Sequence, residues 1–136
     1  MARILIGVFL ILHGLVHLLY FALSRKLVTL DRPIADWPLR SWVFANLLSE
    51  STTRLVASGL YLLATVLFVI SGLSILLRAD WWNPFVVGAG VFSSVVVFLF
   101  WDGKFQQMPD KGFVGVLINL VILAAAFLMT RYAVAL

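Results

Sequence analysis

Cysteine is absent from this chain of 136 residues, which excludes disulfides, thiolate nucleophiles and cysteine-bound metal or iron–sulfur centres. Charge is scarce too. Asp, Glu, Lys and Arg make up 12% of the residues, about half the share of a typical soluble domain. No carboxylate lies within a long apolar run, and histidine occurs only twice. There is no glycine-rich phosphate cradle and no nucleophile–base arrangement, so catalysis by this chain alone is not expected. The net charge of +4 does not point to nucleic acid. No basic patch carries interleaved aromatics, and short basic loops between apolar spans create such a surplus unaided. The period-two alternation of a transmembrane barrel is missing as well.

What is there is apolar surface. Hydrophobic residues make up 63% of the chain, and its mean hydropathy is +1.09. Residues 4–23 (ILIGVFLILHGLVHLLYFAL) carry no Asp, Glu, Lys or Arg and as a helix reach about 30 Å, the thickness of a bilayer's hydrocarbon core. Arg3 before this run and Ala22-Leu23-Ser24 at its end resemble a signal peptide. The run is longer than an h-region of about 7–15 residues and is read as a retained span. Further spans are expected at 55–77, 83–101 and 112–131. Ser51, Thr52 and Thr53 are candidate caps for the second, and Pro84 suits the first turn of the third. Trp81, Trp82, Trp101 and Tyr132 stand at span ends, as in an aromatic belt. Every backbone polar group in hydrocarbon needs an internal partner. The expected fold is therefore an all-α integral membrane protein, a four-helix transmembrane bundle forming a single domain over residues 1–136.

Four spans put both termini on one side, together with Arg3, Arg78 and Arg131. Arg25, Lys26, Arg32, Arg40, Arg54, Lys104 and Lys111 lie on the other. That bias predicts cytoplasmic loops at 24–54 and 102–111, with the termini outside. The first loop is long for a helix–helix connection. Pro33 and Pro38 break its first half, and residues 38–50 read as a short interfacial helix with Val43, Phe44, Leu47 and Leu48 on one face. Trp37 and Trp42 suit the headgroup level. The other reading of this segment is a cap over a cavity or a dock for another subunit. "WDGKF", with Asp102 and Lys104, reads as an exposed turn, its alternative being contact with lipid headgroups or a partner.

Helices in lipid associate through close packing and polar contacts, so small residues mark the seams. They are Gly7 and Gly14, continued by His17 and Phe21, in the first span, and Ser58, Thr65 and Gly72 in the second. The third has Ala89 with Ser93 and Gly90 with Ser94; the fourth has Gly112, Gly115, Asn119, Ile122 and Ala126. His13 sits mid-span and His17 one turn later, on nearly the same face. Four roles are open to the pair. They can hydrogen-bond across the bundle to Asn119, Thr65, Ser93 or Ser94 as polar packing. One of them can ligate a haem or a chlorophyll-type pigment. A proton or quinone site is a third role. A metal site is the fourth, but the spans offer no carboxylate to complete it, and no metal ligand is assigned.

The first-span "LHGLVHLLYF", the "WW" before the third span, and "FWDGKF" followed by "INLVIL" resemble a group of small bacterial four-span membrane proteins of unknown function. By size and span count the chain also resembles DoxX-like membrane proteins, which are associated with quinone-linked systems. The first resemblance implies a bacterial membrane and supplies no activity. The function expected from the residues is that of a non-catalytic integral membrane subunit or accessory protein. It would sit in the bacterial cytoplasmic membrane and pack against lipid and against other subunits or further copies of itself, with no cofactor. The alternative is a cofactor-binding redox subunit that holds haem, a chlorophyll-type pigment or quinone at His13 or His17.

Overall fold

A computed structural model describes residues 1–28, 34, 37 and 41–132. The described residues contain four long helices and no strand: α1 (Ala2–Ser24), α2 (Glu50–Leu76), α3 (Trp82–Leu99) and α4 (Phe113–Arg131), with a 3-10 turn at Pro109–Lys111. All four are long and apolar enough to cross a membrane. α2 starts earlier than the hydropathy suggests. Its cap is Ser49, whose hydroxyl accepts the Thr52 N–H at 3.2 Å, rather than Ser51, Thr52 or Thr53. The C-terminal ends of α1 and α2 are closed without glycine. Lys26 and Arg78 take left-handed backbone angles (φ 56° and 58°). Each is followed by the long-range turn bond of a Schellman motif, Leu27 N–H to the Ala22 carbonyl and Ala79 N–H to the Ser74 carbonyl, both 2.9 Å.

Consecutive helices pack on one another in an up-and-down order. The tightest seam joins α1 to α2, and it is made by the glycines of the small-residue stripes. A Cβ on Gly72 would lie 2.5 Å from the Gly7 carbonyl oxygen, and one on Gly14 would lie 2.6 Å from Phe68 Cβ. Neither position has room for a side chain, so the two backbones touch. Two apolar clusters fill the interior. One gathers Tyr61, Val96, Phe100 and Trp37; the other gathers Leu10, Phe68, Ala89 and Ile122. Along α1, α3 and α4 the polar residues fall between these clusters.

The loop after α1 does not stand off the bundle. Residues 38–40 of the expected interfacial helix lie outside the described residues, as do Arg32, Pro33 and Arg40. Residues 42–48 wind through turns and a bend rather than a regular helix. Helical bonds run from Ala45 to Ser41 and from Leu48 to Phe44, but Ser49 is extended (φ −66°, ψ 157°) in order to cap α2. The segment is held against the last turn of α3. Ser41 Oγ donates to the Leu99 carbonyl, Trp42 Nε1 to that of Phe98 at 2.7 Å, and the Trp42 N–H to that of Trp101 at 2.7 Å. Carbonyls that a helix end leaves without partners are thereby satisfied. Trp37 is not at the surface. It is 4% exposed, and its ring packs 5.2 Å from that of Tyr20 and 6.3 Å from that of Tyr61.

Candidate functional site

The histidines lie on the inner face of α1, where His13 is 6% and His17 3% exposed. α1 brings them to this depth because Gly14 lets it lie against α2, and Phe68 of α2 then stands over both rings, 4.8 Å from His13 and 5.6 Å from His17. The other partners come from α3 and α4. His13 Nε2 is 2.9 Å from Asn119 Oδ1, and His17 Nε2 is 2.6 Å from Ser93 Oγ. Asn119 Nδ2 donates to Ser93 Oγ and Ser94 Oγ, both at 3.1 Å. His17 Nδ1 lies 3.2 Å from the His13 carbonyl.

With both imidazoles neutral, these contacts assign the protons. Asn119 Oδ1 can only accept, so His13 carries its proton on Nε2. The His13 carbonyl can only accept, so His17 carries its proton on Nδ1 and presents a bare Nε2. Ser93 receives Asn119's N–H and donates its own proton to that nitrogen. Ser94 passes its proton to the Gly90 carbonyl at 2.8 Å. Donors and acceptors match throughout. Both nitrogens of His17 are engaged, and so is Nε2 of His13.

Thr65 is not part of this layer. It is buried nearby, but its hydroxyl donates to the Tyr61 carbonyl of its own helix at 3.1 Å. No group of three or more histidine, aspartate or glutamate side chains stands together among the described residues. What the arrangement can do chemically is join α1, α3 and α4 at mid-membrane, where unmet polar groups are costly.

Three features gave little signal in the sequence. The first is an apolar cleft of about 290 Å³, lined by side chains such as Ile6, Leu10, Trp82, Ile118, Ala125 and Met129. Its α1 lining residues Phe9 and Leu10 immediately precede His13 by one turn, and its α4 lining flanks Asn119. The second is the turn after α3. The Asp102 side chain, expected at an exposed turn, is fully buried against an equally buried Lys111. Lys111 Nζ donates to both carboxylate oxygens at 2.8 Å and to the Lys104 carbonyl at 3.0 Å. A pair nine residues apart across a proline-containing loop has no sequence periodicity to reveal it. The third is the aromatic group of Tyr20, Trp37 and Tyr61 beside His17, in which Tyr61 Oη and Trp37 Nε1 are buried without a hydrogen-bond partner among the described residues.

The chain matches no protein-family model, and it is similar to none of the curated proteins or solved structures with which it was compared.

Proposed function

We propose that this protein is a non-catalytic integral membrane subunit or accessory protein of a bacterial cytoplasmic membrane, packing against other membrane subunits or further copies of itself. The observation that carries the reading is that the mid-membrane polar layer is satisfied within itself at every side-chain group but His13 Nδ1. His13, His17, Ser93 and Asn119 spend their hydrogen bonds on one another, which is what an internal clasp requires. The basic residues of loops 24–54 and 102–111 support an orientation with those loops in the cytoplasm and the termini outside.

The reading with a haem, a chlorophyll-type pigment or a quinone at His13 or His17 has less support. A ligand at His17 would have to displace Ser93 or break the bond to the His13 carbonyl. At His13 only Nδ1 is outside the network.

Native mass spectrometry of the protein, extracted gently from its host membrane, tests both. The expected result is added mass from other polypeptides or from further copies. A single chain carrying a porphyrin, chlorin or quinone would overturn the reading in favour of the cofactor site. A single chain with no other polypeptide would also count against it.

A further inference from the structure

The cleft between α1 and α4 has a definite shape and position. On α4 its lining runs from Ile118 to Met129, about 16 Å of helix at 1.5 Å per residue. That is close to half of the roughly 30 Å hydrocarbon core. The cleft's volume is about 290 Å³. A cleft that runs lengthwise along a helix suits an extended chain. Its lining is wholly apolar, and one end lies beside the His13–Asn119 bridge. The other end is where α1 begins and α4 ends, beside Trp82.

Positive charge stands at that second end. Arg3 is one turn before Ile6 and on the face of α1 that carries Leu10. The residue is partly exposed, and its buried Nη1 has no hydrogen-bond partner among the described residues. Arg131 follows Met129 within the last turn of α4. Asp80, two residues before Trp82, is the only carboxylate at this end among the described residues.

From the apolar slot and the cation at its mouth we propose that the α1–α4 cleft binds one acyl chain of an anionic phospholipid, with the phosphate against Arg3. The chain would lie along α4 from the headgroup region towards mid-membrane. The accessible part of the Arg3 guanidinium would then pair with the phosphate. The site does not depend on whether the protein serves as a subunit.

The test is native mass spectrometry of the full chain released from nanodiscs made of equal parts phosphatidylglycerol and phosphatidylcholine. One phosphatidylglycerol is expected to stay bound per chain, in preference to phosphatidylcholine. Arg3→Gln is expected to keep a bound lipid but to lower that preference about fivefold, the effect of one basic residue near a membrane surface. Ala125→Phe, which adds a ring at an exposed lining position, should abolish retention, and the smaller Ala125→Leu should weaken it. Circular dichroism of each variant establishes that the helices are intact, and Gly88→Ala, on an open face, should retain lipid like the parent. Equal retention of the two lipids, a preference that survives Arg3→Gln, or retention that survives Ala125→Phe would each overturn the proposal. So would a bound mass matching a free fatty acid rather than a phospholipid.

Discussion

Asn119 makes more of the mid-membrane contacts than any other side chain. It bonds His13 on α1 and Ser93 and Ser94 on α3, so replacing it by leucine removes three interhelical bonds and strands the His13 N–H. At about 0.6 kcal/mol for an average interhelical bond, Asn119→Leu should cost about 2 kcal/mol, read as a lower unfolding midpoint in detergent. Ser94→Ala should cost far less, because Ser93 still accepts from Asn119. Equal losses in the two variants would contradict the assigned bonds. At this scale the sequence was partly readable. An amide and two histidines in an apolar chain stand out, and Ser93 and Ser94 stood on a small-residue face of α3. Thr65 looked equally suitable. Its hydroxyl instead returns to the carbonyl four residues back, a bond every helical threonine can make and which no spacing reveals.

The helices themselves are where sequence and structure agree most closely, because length and hydropathy are properties of one segment at a time. The stripes of small residues on α1 and α2 also carried information. Gly7 and Gly72 meet backbone to backbone, and Gly14 meets Phe68 beside Thr65. Gly72→Ala would drive a methyl into the Gly7 carbonyl and should destabilise the bundle by about 1–3 kcal/mol, the usual cost of overpacking. Gly59→Ala and Gly88→Ala meet nothing within 4 Å and should stay within about 0.5 kcal/mol of the parent. Thermal unfolding of the three variants in one detergent separates them, and a Gly72→Ala protein as stable as the other two would refute the backbone contact. Other element-level features escaped the sequence. The cap of α2 is Ser49 because the chain is extended there, and the loop segment winds in turns because its Ser41 and Trp42 are tied to the end of α3.

For the whole molecule, the absence of cysteine makes orientation directly measurable. With single cysteines introduced at exposed Ala2 and Gln106, a membrane-impermeant maleimide should label Ala2→Cys in intact cells. It should label Gln106→Cys only after the membrane is permeabilised. The opposite pattern would reverse the orientation drawn from the basic residues. Composition and run length were enough for four membrane-length helices and no strand among the described residues, since hydrocarbon leaves a single segment few ways to pair its own backbone groups. They could not say that Asp102 is buried against Lys111, that Trp37 turns inward, or that α1 and α4 part to leave a cleft. Those outcomes depend on how each helix is rotated and how closely its neighbours approach. Here the α1–α2 glycine contact and the bonds of Asn119 set both, and neither acts until distant segments have come together.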